Sequence, residues 1–111
     1  MYVTIFMGDL MKVLFHIDEM EKWNLLNANL RNILEKDSNL SVSVVSNADS
    51  VAYFMSEECT LDERIKYHVC LNSLKQRGYD RKEINNQVVI VDSGVYEIAL
   101  LQSLGYSYIK P

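Results

Sequence analysis

The stretch IKYHVCLNSLKQRG, residues 65–78, places an apolar run directly before a segment with helical character. The run from Ile65 to Cys70 has the composition of a β-strand. Gly78 suits the left-handed backbone position that ends many helices. A strand that leads at once into a helix is the repeating element of parallel sheets, so this stretch predicts an α/β fold.

The same alternation continues along the chain from Met11 onward. Apolar runs predict four further strands, at residues 13–17, 41–45, 88–91 and 106–109. Between them, helical spacing places two sets of side chains on buried helix faces. These are Trp23, Leu26, Leu30, Ile33 and Leu34 in one helix, and Ile98, Leu101 and Leu104 in another. The sequence therefore predicts a three-layer α/β/α sandwich with a five-stranded parallel sheet and residues 106–109 at its edge.

Local signals predict the shorter elements. Asn47 or Ser50 is expected to cap a helix after the second strand, and Asn72 the helix after the third. Residues 80–83 have the spacing of a capping box, which predicts a short turn. The polar residues 56–64 predict a loop.

Composition and charge favour a single globular domain over residues 11–111. The chain has 111 residues, of which 49% are hydrophobic, and this is enough to form a core. A net charge of −4 with scattered Lys and Arg argues against a nucleic-acid partner. Two cysteines are too few for a disulfide framework, so we expect a reducing, cytoplasmic location.

Residues 1–10 differ from the rest of the chain. Met1–Met7 are apolar but too short to span a bilayer, so no membrane association is predicted. Met11 opens the regular strand pattern. One alternative is that residues 1–10 are an N-terminal extension ahead of the biological start at Met11. The other is that Tyr2–Met7 form an extra edge strand or an oligomer contact. We favour the extension.

Polar side chains and a thiol follow the predicted strands. In parallel sheets, working residues gather beyond the carboxyl ends of the strands. Here those ends carry His16, Asp18, Glu19, Asn47, Cys70, Asn72, Ser73, Ser93 and Gly94. Cys70 also lies where a helix begins, and the partial positive charge of a helix start favours a thiolate. The sequence therefore predicts a site at this rim.

His68 lies two residues before Cys70, so both side chains point to the same face of the sheet. Their Cβ atoms would be about 7 Å apart, which is too far for a direct hydrogen bond without movement of the ring. We therefore do not favour His68 as the base for Cys70. Cys59 lies in the polar loop and is expected to be an ordinary surface thiol.

Several segments together resemble the DsrE/DsrF-like family, which includes YchN-type and TusD-type proteins. They are residues 15–19, Asn47, the 70–78 block with its cysteine and Arg-Gly ending, residues 93–95 and residues 105–111. The resemblance implies the same three-layer fold and a homo-oligomer, either a trimer or a hexamer. It also implies that Cys70 matches the cysteine that carries a persulfide in sulfur-transferring members.

Two functions follow as hypotheses. The first is a sulfur carrier in which Cys70 is catalytic and exchanges sulfur with a donor or acceptor protein. His16, Glu19, Asn47, Asn72, Ser73, Ser93 and Gly94 are its candidate binding residues. The second is a non-catalytic oligomeric domain that binds a small anion or a protein at the same rim, with Cys70 merely packed. With only four Gly and no zinc-ligand spacing, the sequence predicts neither a cofactor nor a metal.

Overall fold

The computed structural model describes residues 11–111, and within them five strands form one sheet in which every pairing is parallel. The strands are β1 (Lys12–Ile17), β2 (Ser41–Ser46), β3 (Ile65–Cys70), β4 (Val89–Val91) and β5 (Ser107–Ile109). Their order in the sheet is β4-β3-β2-β1-β5. The predicted five-stranded parallel sheet is confirmed, with β5 at an edge. The two alternatives for residues 1–10 lie outside the described residues.

Helices cover both faces of the sheet. The α-helices are α1 (Trp23–Lys36), α2 (Leu71–Gln76) and α3 (Gly94–Ser103), and 3-10 helices span Met20–Lys22, Ala48–Met55 and Arg81–Glu83. The core that contains α1, α2 and the long 3-10 helix packs on the strand residues of one face. On the other face α3 packs across β1, β2 and β3. The predicted three-layer sandwich is therefore confirmed.

The two faces differ in how much they bury. On the α1 face, the Trp23 ring stacks on Tyr53 at 4.0 Å and meets the edge of Phe54. Trp23 Nε1–H also donates to the Ser50 carbonyl at 2.9 Å, so the indole is both packed and hydrogen-bonded. The α3 face has a smaller core around Leu14, Val45 and Leu101. Most of the apolar burial that holds the sheet therefore lies on the α1 face.

The helix caps differ from their prediction. Residues 48–55 form a 3-10 helix with Asn47 at its N-cap, but the Asn47 side chain makes no cap bond within the described chain. Ser50 lies inside that helix, where its hydroxyl donates to the Ile17 carbonyl at 2.8 Å. Asn72 lies in the first turn of α2, whose N-cap is Cys70. The prediction for Asn72 is wrong because β3 runs into α2 without a connecting residue, so the last strand residue takes the cap position.

Other local predictions are confirmed. The Asp80 carboxylate accepts from the Lys82 amide and starts the turn at Arg81–Glu83. Gly78 follows α2 with φ +71°, a left-handed conformation that costs glycine no steric penalty. Residues 56–64 form a loop of turns.

The order of the strands places a switch point between β3 and β4. From β1 to β4 each strand lies beside the one before it, and the connecting helices pack on the α1 face. The chain then returns across the opposite face through α3 to reach β5. The connections after β3 and β4 thus leave toward opposite faces. In open α/β sheets such a switch point, beyond the carboxyl ends of the strands, is where ligands bind.

Candidate functional site at the carboxyl ends of β3 and β4

Cys70 lies at this switch point. It pairs with Val91 at the end of β3 and is the N-cap of α2. Gly94, the first residue of α3, is so close that a Cβ atom on it would lie 3.2 Å from both Cys70 Cβ and Asn47 Cβ. The N-terminal ends of two helices therefore meet at the Cys70 side chain.

The surroundings of the sulfur favour its charged form. Burial raises the pKa of the Cys70 thiol, but hydrogen bonding by the Ser73 hydroxyl and by the amides of Gly94, Ser73 and Asn72 outweighs it and leaves the pKa below its usual value. Within residues 11–111, the Cys70 side chain makes no cap hydrogen bond. The groups that lower its pKa are all hydrogen-bond donors, which are the groups that stabilise a thiolate.

The Ser73 hydroxyl is held in place by the backbone of the neighbouring loop. The Ala48 amide donates to Ser73 Oγ at 2.7 Å, which leaves the hydroxyl proton available to the sulfur. Ala48 has φ +53°, a conformation that costs a non-glycine residue about 1–3 kcal/mol. Arg77 also links α2 to this loop, because it donates to Asp49 at 2.7 Å and to the Ser73 carbonyl at 3.1 Å. No sequence pattern predicts the positive φ of Ala48.

A chain of hydrogen bonds leads from Asn47 toward the edge of the sheet. His16 Nε2 lies 2.9 Å from Asn47 Oδ1, and His16 Nδ1 lies 2.6 Å from the Tyr108 hydroxyl. Because Oδ1 only accepts, Nε2 carries the proton, and in the neutral ring Nδ1 accepts from Tyr108. Sequence analysis placed His16 and Asn47 at the rim. It missed Tyr108, although the alternating residues of β5 were predicted as a strand.

The remaining predicted residues divide into two groups. The Ser93 hydroxyl accepts from the Tyr96 amide at 3.2 Å and caps α3, so it shapes the helix start beside Cys70. Glu19 is exposed beyond β1, and its charge helps to raise the pKa of Lys110, which chiefly reflects the hydrogen bond to Asp18. Lys110 follows β5, on the far side of β1 from β3. The structure thus brings Asn47, Asn72, Ser73, Ser93 and Gly94 together around Cys70, and it leaves Glu19 apart.

His68 is buried beneath α3. Its Nδ1 lies 3.2 Å from Glu97 Oε2, but neither ring nitrogen has a partner of hydrogen-bond geometry in the described part of the chain. Burial, with a smaller effect of Lys66, lowers the pKa of His68 to about 4. The Glu97 carboxylate opposes this shift, but desolvation of a ring with two unpaired nitrogens dominates. The imidazole is therefore neutral at neutral pH.

Three cavities in the described part of the chain lie away from Cys70. One of about 650 Å³ lies at the start of β3, at the other end of that strand from Cys70, between α1 and the 60–64 loop. The charges of Asp62 and Arg64 in its lining are paired with each other at 2.7 Å. Cys59 also packs on this side, against the α1-face core, and burial raises the pKa of its thiol. The candidate site therefore rests on the chemistry around Cys70 and not on cavity size.

Residues 11–111 contain neither a cluster of metal ligands nor a membrane-spanning helix. Within that range, the structure groups no three His, Cys, Asp or Glu side chains in a way that would hold a metal ion. No helix there has both the length and the hydrophobicity of a membrane span.

Comparison with known proteins identifies a structural relative. No family model and no curated protein matches the sequence. The fold is similar to that of MTH1491 from Methanobacterium thermoautotrophicum. The two superpose with a TM-score of 0.77 and 25% sequence identity over 91% of this chain and 99% of the other. MTH1491 is itself a protein of unknown function, so the similarity supports the α/β fold and assigns no activity.

Proposed function

We propose that the protein is a sulfur carrier in which the Cys70 thiolate accepts a sulfane sulfur and passes it to a partner protein. The observation that carries this proposal is the position of the thiol, where the first turns of α2 and α3 converge beside the Ser73 hydroxyl. The thiolate is the nucleophilic form of cysteine, and these donors favour it. The resemblance of residues 70–78 and 105–111 to the DsrE/DsrF-like family supports the same function.

The proposed reaction needs no cofactor. The Cys70 thiolate attacks the terminal sulfane sulfur of a persulfide or polysulfide donor, and a new S–S bond forms. The donor's own S–S bond breaks, and its electron pair leaves with the donor as a thiolate. An acceptor thiolate then attacks the outer sulfur of the Cys70 persulfide and releases the Cys70 thiolate again. The protein carries an anion before and after each step, and the surrounding amides and hydroxyl stabilise it.

The outer surface of α3 supports the predicted homo-oligomer. Val95 and Tyr96 on α3 are each 68% exposed, and Leu100 on the same helix is exposed as well. Leu104, the residue after α3, is also exposed, so the predicted burial of Leu104 is wrong. Apolar and aromatic side chains are enriched where proteins associate. Because α3 begins at Gly94, beside Cys70, a second copy on this surface would lie close to Cys70. The homo-oligomer and the cytoplasmic location stay predictions.

Loading with sulfur tests the proposal. The folded protein is incubated with inorganic polysulfide, and its intact mass is then measured with and without reductant. We expect wild type to gain one reductant-labile sulfur atom per chain. Cys59→Ser, which removes the thiol on the opposite face, should load as wild type does, and Cys70→Ser should not load. A wild type that stays unloaded, or a Cys70→Ser variant that loads equally, would contradict the proposal.

The second hypothesis, a non-catalytic domain that binds an anion or a protein at the rim, has one observation in its favour. Cys70 is only 5% exposed, as a packed side chain would be. If Cys70 is only packed, wild type and Cys70→Ser both stay unloaded. The loading experiment therefore separates the two functions directly.

A further inference from the structure

We infer that Asn47 is a positioning residue for the transferred sulfur, and that Tyr108 and His16 hold it in the required orientation. In this arrangement the Asn47 side-chain amide donates to the outer sulfur atom of the Cys70 persulfide. The inference rests on the proposed function and adds to it the residues that hold the intermediate.

The distance between the two side chains is short enough for this contact. Cys70 Cβ and Asn47 Cβ each lie 3.2 Å from one point, the position of a Cβ atom on Gly94, so they are no more than twice that distance apart. The S–S bond of a persulfide adds about 2.05 Å to the cysteine side chain. The outer sulfur can therefore lie within hydrogen-bond reach of the neighbouring amide.

The hydrogen bonds of Asn47 leave the correct group available. Its Oδ1 is used by His16 Nε2–H at 2.9 Å, so the amide nitrogen is the end with donors to spare. An N–H donor stabilises an anionic sulfur, whereas the oxygen would repel it. Since Oδ1 is fixed on the histidine, the amide is prevented from rotating to present the wrong atom.

Tyr108 makes the last hydrogen bond in the series that starts at Asn47 and passes through His16. Its hydroxyl lies 2.6 Å from His16 Nδ1, and the two rings are 5.7 Å apart. A proton donated by Tyr108 to Nδ1 fixes the tautomer in which Nε2 carries hydrogen, which is the tautomer that Asn47 Oδ1 needs. Tyr108 on the edge strand β5 thereby orients the Asn47 side chain, which lies two strands away at the end of β2.

Within residues 11–111, the Asn47 side chain does not cap the 3-10 helix that follows it. An asparagine at an N-cap commonly accepts from the first turn of its helix. In the described chain the Asn47 side chain makes no such bond and turns to His16 instead. The side-chain hydrogen bond of Asn47 therefore lies at the carboxyl ends of the strands, on the same rim as Cys70.

Two rates measured on the same variants test the inference. The first is the rate at which Cys70 takes sulfur from inorganic polysulfide, and the second is the rate at which iodoacetamide alkylates the unloaded thiol. Asn47→Ala should load about 10-fold more slowly, the loss expected for one hydrogen bond to an anion. Its alkylation should change by less than about 2-fold, because the thiolate is stabilised by other groups. A merely structural role would lower both rates together.

Tyr108→Phe provides a second variant that removes only the hydroxyl. It should slow loading in the same direction as Asn47→Ala but less, and Tyr106→Phe, just before the same strand, should load as wild type does. Loading of Asn47→Ala at the wild-type rate, or equal losses in loading and alkylation, would overturn the inference. A wild type that takes no sulfur would instead contradict the proposed function itself.

Discussion

A Gly94→Val variant is expected to lose about 3 kcal/mol of unfolding free energy and to react more slowly at Cys70. A Cβ atom at position 94 would lie 3.2 Å from the Cβ atoms of Cys70 and Asn47, and 3.6 Å from Val45 Cγ1. Cβ atoms are fixed to the backbone, so they cannot turn aside as the end of a long side chain can. The valine methyl groups would push α3 away from the sheet and carry the Gly94 amide away from the sulfur.

Urea denaturation and iodoacetamide alkylation measure the two effects of Gly94→Val. Ala99→Val is the control, because it places a valine on the exposed side of the same helix. It should change the unfolding free energy by no more than about 0.5 kcal/mol. If Gly94→Val kept wild-type stability and thiol reactivity, the close packing of α3 on Cys70 would be contradicted.

Wild type is expected to lose about 2 kcal/mol of stability between pH 7 and pH 5 through His68. In the folded protein the pKa of His68 is about 4, whereas in an unfolded chain it returns to its usual 6.5. Above pH 6.5 the ring is neutral in both states, and the folded state carries no penalty. As the pH falls below 6.5, His68 takes up a proton in the unfolded chain but stays neutral in the folded protein. The free energy of unfolding therefore falls until about pH 4 and then levels off.

Urea denaturation at pH 7 and pH 5 measures this loss. His68→Leu removes the titrating ring, so its stability should change less over the same interval. Most carboxylates titrate below pH 5, which keeps their effect small in this window. If wild type and His68→Leu lost stability in parallel, the buried neutral state of His68 would be wrong.

The fold could be predicted because burial on both faces leaves a strong pattern. The apolar runs that became β1 and β3 are covered by helices on both sides, and the spacing of Trp23, Leu26 and Leu30 matches one face of α1. The edge position of β5 also followed from its alternating residues. The order of the strands was not predicted, because it depends on which face each connection crosses.

The site was only partly predictable. Cys70, Asn47 and Gly94 were placed at the rim because the carboxyl ends of parallel strands share one edge. The contact of His16 with Tyr108 joins residues 92 positions apart, and no local pattern indicates it. Residue type did not indicate the positive φ of Ala48 either, since such a conformation is expected of glycine and not of alanine. Asn72 was predicted as a helix cap from its residue type alone. In the structure β3 continues directly into α2, so Cys70, the last strand residue, is the N-cap.

The pH dependence of Cys70 alkylation tests the central claim most directly. The rate of reaction with iodoacetamide is measured across pH in Cys59→Ser protein, folded and in denaturant, so that Cys70 is the single thiol. We expect the folded protein to show the lower thiol pKa, because the amides of Asn72, Ser73 and Gly94 and the Ser73 hydroxyl favour the thiolate. A folded thiol whose pKa equals or exceeds the denatured value, or that reacts only after unfolding, would contradict the account.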